Sequence, residues 1–143
     1  MFVSAILKQK DGHVIACSPT VSVRQAAKTL QEHRIGALVV VDAKGLTGIF
    51  TERDIVRGIA VHGDAVLDMP IRGLMTPDVI TCRPDDTVQN VEALMTERRF
   101  RHVPVLDGDM LVGIISIGDV VKNRLAECSV EVDSLRHYVS SSR

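Results

Sequence analysis

The sequence predicts an α+β fold in which two β-α-β-β-α repeats pack together with pseudo-two-fold symmetry. Three observations lead to it. The 143-residue chain matches itself without a gap from Val14 to Val56 when Asp54 is laid on Asp119, a displacement of 65 positions. Each copy holds two apolar runs separated by a turn sequence, as a hairpin requires. Each hairpin also ends in the same way, Gly48-Ile49-Phe50-Thr51-Glu52-Arg53-Asp54 in the first copy and Gly113-Ile114-Ile115-Ser116-Ile117-Gly118-Asp119 in the second. Neither copy has the mass to bury a sheet by itself, so the two should share one body.

The elements follow in order. Residues 14–18 and 79–83 are short extended pieces closed by Pro19 and Pro84. Ser22-Val23-Arg24-Gln25 and Thr87-Val88-Gln89-Asn90 open helices, the first with the Ser-x-x-Gln pattern of a capping box. Val23, Ala26, Ala27 and Leu30 continue the first at helical spacing, and Val88, Val91, Leu94 and Met95 continue the second. Residues 37–41 and 46–51 flank the turn Asp42-Ala43-Lys44-Gly45, while 102–106 and 111–116 flank Asp107-Gly108-Asp109-Met110. These strands are almost continuously apolar, which predicts burial on both faces. A helix follows each hairpin, from Glu52 and from Ile117. The expected divisions are residues 3–63 for the first repeat, 64–78 for a connector, 79–128 for the second repeat, and 129–143 for a helical extension and tail.

Composition narrows the function. Hydrophobic residues make up 45% and charged ones 24%, ordinary for a globular protein. A formal net charge of −1 gives no electrostatic case for nucleic acid or an anionic membrane, and 3% aromatics without tryptophan removes stacking platforms for single strands. The longest apolar run, residues 37–41, is far short of a bilayer span. No basic region precedes an apolar block at the N-terminus, so a cytoplasmic protein is expected. No Gly-rich phosphate loop, nucleophile elbow or paired carboxylates points to catalysis.

The hairpin ends carry the chemistry. A buried strand runs out at Thr51 or Ser116 and a helix begins, with Asp54 or Asp119 in its first turn. One reading is a cap, in which hydroxyl and carboxylate satisfy free backbone N–H groups. The other is an anion and sugar site, because a helix N-terminus favours negative charge and a carboxylate accepts both hydroxyls of a ribose. One copy alone favours the cap, and two copies in matching contexts change that balance.

The repeat resembles the cystathionine-β-synthase-type (CBS) domain, and the chain is similar to one stand-alone tandem pair, a Bateman module. The resemblance lies in the paired hairpin ends and in Arg99-Phe100-Arg101-His102-Val103-Pro104-Val105, which is similar to the family's loop into its second strand; it covers roughly residues 3–128. It implies a regulatory sensor of adenine nucleotides (AMP, ADP, ATP or NAD) without catalytic activity. By the same resemblance Asp54 and Asp119 hold ribose hydroxyls, and Thr51 and Ser116 approach the ribose or phosphate. The backbone at Ile15 and Ile80 reads the adenine edge, and Ala37, Leu38, Val103 and Val105 touch the ring. Arg101 and His102 reach the phosphate held by the other repeat, joined there by Arg53. The Asp54 site is then the more cationic, and the Asp119 site, facing Gly36 and Ala37, has room but little charge. A protein–protein adaptor with degenerate pockets is the alternative.

Simpler roles suffice elsewhere. Arg98 and Arg99 complement a helix C-terminus. His13, His33, His62 and His137 have no partners at metal or triad spacing. Cys17 and Cys82, at equivalent positions, read as small hydrophobes. On the last helix Val121, Leu125, Cys128, Val132, Leu135 and Val139 form a heptad stripe. Val121 and Leu125 are expected to pack on the chain's own sheets, and Val132, Leu135 and Tyr138 to contact a second copy in a homodimer.

Overall fold

A computed structural model describes residues 1–10 and 14–141, without the side chains of 130, 131 and 137–141. The first half contains helix α1 (Val3–Gln9), strand β1 (Ala16–Cys17), α2 (Val23–His33), the hairpin β2 (Ala37–Asp42) and β3 (Gly45–Thr51), and α3 (Glu52–His62). Two 3-10 turns, Gly63–Asp68 and Ile71–Gly73, lead to α4 (Val88–Arg98), the hairpin β4 (His102–Asp107) and β5 (Met110–Ser116), and the long α5 (Ile117–Ser141). The fold is the α+β pair of repeats that the sequence predicts.

Equivalent residues make equivalent local structure. Ser22 Oγ accepts from Gln25 N at 3.1 Å and Thr87 Oγ1 from Asn90 N at 3.2 Å, so both helices are capped by the expected hydroxyl. Both end on an arginine in the left-handed conformation, Arg34 (φ 53°) and Arg99 (φ 58°). Both hairpins carry a register shift at the same place, between Val40 and Val41 and between Val105 and Leu106. The central strand residues are buried on both faces, as their apolar run predicts.

The sheets differ for one covalent reason. β1 pairs in parallel with β2, and Val39 N donates to Ile15 O at 3.3 Å. The counterpart of Val39 is Pro104, which has no N–H to give. The second sheet therefore has two strands, and only Cys82 bridges to Val105 beside it.

Neither repeat closes its own core. In the first, Val23, Leu30, Leu38, Val40 and Phe50 are sealed by Val66 and Ile71 from the segment that leads into the second repeat. In the second, Val88, Val91, Met95, Val103, Val105 and Ile115 are sealed by Val3 and Ile6 of α1. Residues 3–9, grouped by sequence with the first repeat, thus build the second core. The two leaders match bond for bond: Val23 N donates to Met69 O and Val88 N to Met1 O, both at 2.9 Å. Glycine makes the approach possible, since a Cβ on Gly48 would lie 2.6 Å from Met75 Sδ and one on Gly113 would strike Leu7.

The last helix departs from expectation. Val121 and Leu125 do not pack on the sheets; they are 50% and 66% exposed, and α5 turns Val120 and Asn123 inward instead. Tyr138, Val139 and His137 lie outside the described side chains, and His13 outside the described residues. Among the described residues no helix is long and apolar enough to cross a membrane.

The crossed leader gives a direct test. Ile6 is 3% exposed inside the second core, so Ile6→Ala should lower the unfolding free energy in urea by about 2–4 kcal/mol. A loss under about 1 kcal/mol would detach α1 from that core.

Candidate functional site

Each hairpin end delivers a carboxylate to the first turn of a helix, and the two are built alike. Thr51 N donates to Asp54 Oδ2 at 2.9 Å, and Ser116 N to Asp119 Oδ2 at 2.9 Å. In the second copy the bond is returned, with Asp119 N donating to Ser116 Oγ at 3.1 Å. The first residue of each helix is tied to its own repeat, Glu52 N to Gly36 O at 3.1 Å and Ile117 N to Arg101 O at 2.8 Å. The cap engages Oδ2 of each aspartate and leaves Oδ1 to other partners, so capping and ligand binding are compatible roles for one side chain.

A cavity of about 610 Å³ opens at the Asp54 junction, a size that suits a small-molecule ligand. It gathers Thr51, Arg53 and Asp54 from the first repeat with Ile80, Arg101 and His102 from the second, six residues that the sequence singled out. Four arginines and three carboxylates line it, leaving one surplus positive charge for an anionic ligand before His102 is counted. Asp54 is buried at 3% exposure, and Arg57, one turn along α3, stands 3.8 Å from its Oδ1. The carboxylate can take hydroxyls, the guanidinium groups can take a phosphate bidentately, and the apolar walls can take a flat ring.

Several residues lie elsewhere. Leu38, Val103 and Val105 are fully buried in the two helix-facing cores, so their side chains cannot touch a ring in this cavity. Strand alternation explains it, because Ala37 is the counterpart of His102, whereas Leu38 is the counterpart of Val103 and points to the opposite face. Ala37 is itself buried, and Ile15 packs against the first core with its carbonyl engaged in the sheet. Ser116 and Asp119 form the second junction. Arg99, read as a helix-end charge, also lines the cavity, as do Glu52, Arg57 and Asp78. Arg57 was legible as the neighbour of Asp54 three residues on along a helix. Asp78 was legible only as the continuation of the extended segment before Ile80.

The second junction is not poor in charge. Lys10 Nζ, from the end of the first leader, lies 2.8 Å from Asp119 Oδ2 and 2.9 Å from Ile114 O. Burial alone would raise the Asp119 carboxyl, but the Lys10 hydrogen bond and charge and the Ser116 bonds outweigh it and hold its pKa below the ordinary 3.8. The cysteines are quiet. Burial and then the Asp86 charge push the Cys82 thiol up to about 12, and burial raises Cys17, so neither is a thiolate at neutral pH.

Crossed leaders, paired strand-to-helix junctions and a cavity at the seam make this a tandem-repeat α+β module with a ligand-sized cleft. A CBS domain family model matches it twice, over residues 4–61 and 71–126, and the chain belongs to the CBS domain family. It is similar to the mitochondrial CBS domain-containing protein CBSX3 of Arabidopsis thaliana, 36% identical over 146 residues that span 96% of this chain and 71% of that one. Among solved structures, a CBS-domain-containing protein from Agrobacterium tumefaciens is 47% identical with a TM-score of 0.84, covering 87% of this chain and 99% of that chain. A CBS domain protein from Pyrobaculum aerophilum, complexed with AMP, is 29% identical with a TM-score of 0.74, covering 83% of this chain and 89% of that chain.

His102 supplies a pH test. Burial holds its imidazole below the ordinary 6.5, the Lys10 ammonium pushes the same way, Asp119 and Glu52 oppose, and Arg101 adds to the lowering. As pH falls, the unfolded chain takes up this proton before the folded one does. The contribution to stability is complete above the unfolded value of 6.5 and is lost as the pH drops through the folded pKa. His102→Gln should therefore flatten the fall in thermal stability between about pH 7 and 5. An unchanged profile would mean that the imidazole is solvated.

Proposed function

We propose that this chain is a regulatory module that binds adenine nucleotides, with the Asp54 cavity preferring those that carry phosphate. The observation behind the reading is the convergence of Thr51 and Asp54 with Ile80, Arg101 and His102 from the opposite repeat in one cleft. Asp54 accepts the ribose hydroxyls at the start of α3, and Arg101, with Arg53 and an N–H of the His102 imidazole, takes the phosphate. Ile80 presents its backbone to the adenine edge, because Pro104 withholds the sheet bond that Val39 makes to Ile15 in the first copy. The AMP complex of the Pyrobaculum relative supports AMP as the first ligand to test; ADP, ATP and NAD share the same recognisable parts. The module acts as a sensor and not as a catalyst.

Losing a charge-assisted hydrogen bond costs about 1.5–3 kcal/mol. Asp54→Ala should thus weaken AMP binding by about ten- to a hundredfold in calorimetry. Arg101→Ala should weaken AMP while sparing adenosine, since its guanidinium serves the phosphate. Unchanged AMP affinity in Asp54→Ala would leave that aspartate a cap, and equal losses for both ligands would make Arg101 structural.

The module is proposed to work as a homodimer. Ile117, Val121, Leu125, Cys128, Val132 and Leu135 recur every three or four residues on the exposed side of α5. Val56 on α3, the counterpart of Val121, is 67% exposed, and Ile59 is exposed beside it. A row of exposed apolar residues along α5, with others on α3, is more than the scattered surface hydrophobes of a monomer. A variant carrying Leu125→Glu and Leu135→Glu should sediment as a monomer at concentrations where the parent is a dimer. Equal sedimentation of the two would take α5 out of the interface.

A further inference from the structure

We infer that Lys10 is a latch on the second junction, holding Asp119 closed to a ribose until a ligand displaces it. The inference rests on the nucleotide reading above and goes beyond it, because it assigns the leader of the first repeat a role in deciding what the second site admits.

Among the positions where the two leaders differ, one reaches the junctions. Leu7 and Met75 are counterparts, each packed where Gly113 or Gly48 leaves room, and three residues further on stand Lys10 and Asp78. In the first half Thr76 joins the edge of β3, exchanging N–H···O bonds with Ile49 at 2.9 and 3.0 Å, and Asp78 lines the open cavity. In the second half Ile114, the counterpart of Ile49, has Lys10 Nζ on its carbonyl at 2.9 Å. The same ammonium lies 2.8 Å from Asp119 Oδ2, which already accepts from Ser116 N at 2.9 Å. A diol held by a carboxylate places its hydroxyls on both oxygens. At Asp119 one of those oxygens holds two donors, one of them charged, so a ribose must compete with Lys10 for it. At Asp54 the corresponding oxygen also holds two donors, but both come from Thr51 and neither is charged, so the ammonium is what distinguishes the two oxygens. Lys10 stands 36% exposed at the end of α1, so it can swing into solvent when displaced. Occupancy of the second site then frees the end of a helix whose other residues seal the second core.

Adenosine separates a latch from a phosphate contact, because it carries no phosphate for Lys10 to bind. In an Asp54→Ala background, where Asp119 is the remaining junction carboxylate, Lys10→Met should raise adenosine affinity by about tenfold. Adding Asp119→Asn should abolish the gain. With Asp54 intact, the same Lys10→Met change should raise the number of adenosine molecules bound per chain from one towards two, which keeps the test open if the Asp54→Ala chain folds poorly. Unchanged or undetectable adenosine binding after Lys10→Met, in a chain whose Asp54 site still binds AMP, overturns the latch. A fall in AMP affinity at the Asp119 site on Lys10→Met also overturns it and makes Lys10 a phosphate partner. Failure of the unaltered chain to bind any adenine nucleotide refutes the nucleotide reading itself.

Discussion

The crossing of the two leader segments is the constraint on which the remaining features depend. Each hairpin with its helices leaves one edge of its core open, and each opening is closed by chain that precedes the other repeat: Ile71 and Val66 on the first, Val3 and Ile6 on the second. A half of about seventy residues would bury too little surface to be stable alone. Exchange of leaders makes each half a part of the other's core. It also routes the chain. To pass from Ile71 in the first core to Val88 in the second, residues 76–80 must cross the seam beside the Asp54 junction. The cleft at that junction is therefore a consequence of how the repeats complete one another.

Because the backbone plan is repeated, the differences between the two junctions come down to single side chains. Pro104 in place of Val39 removes one N–H, which frees the segment at Ile80 from the sheet while Ile15 stays bonded. Arg101 and His102 in place of Gly36 and Ala37 put a guanidinium and an imidazole into the Asp54 cavity. Lys10 in place of Asp78 puts a cation on the other aspartate. Together these replacements leave an open cleft lined by Arg101 and His102 at the Asp54 junction and a carboxylate engaged by Lys10 at the Asp119 junction. Duplicate scaffolds with divergent linings can respond to different ligands, or to different concentrations of one.

The repeat, the hairpins and the aspartate junctions were legible because they lie within one gapless register and follow period-2 and period-3.6 patterning. The leaders were not, because their counterparts (Val3 with Ile71, Leu7 with Met75) are 68 positions apart while the repeat runs at 65, so the self-match begins only at Val14. Lys10 falls in that shifted stretch, and without it the second site reads as uncharged. Leu38, Val103 and Val105 failed for a different reason. Hydrophobicity marks a strand residue as buried, and only the register of alternation tells the helix-facing side from the seam. Comparing copies would have exposed the conflict, since Ala37 and Leu38 cannot share a face. Val121 and Leu125 show the limit of an apolar stripe, which announces a contact without naming the surface that makes it.

Capping and ligand binding need not compete at these junctions, and that bears on how a sensor of this kind would signal. Asp54 Oδ2 holds the start of α3 while Oδ1 faces Arg57 at 3.8 Å. A ligand that takes hold of the same carboxylate acts on the first turn of a helix whose next residues, Val56 and Ile59, lie on the exposed apolar face. The second junction stands in the same relation to α5, with Asp119 in its first turn and Val121 and Leu125 directly beyond. In the proposed reading, ligand site and partner face adjoin on the same helix, where Val56 both lines the cavity and is exposed, and no long relay is needed between them. A ligand shifts the association only as far as it binds the associated and free states with different affinity. The lever for that difference is the orientation of α3 and α5 at Thr51 and Ser116, the two points where strand becomes helix.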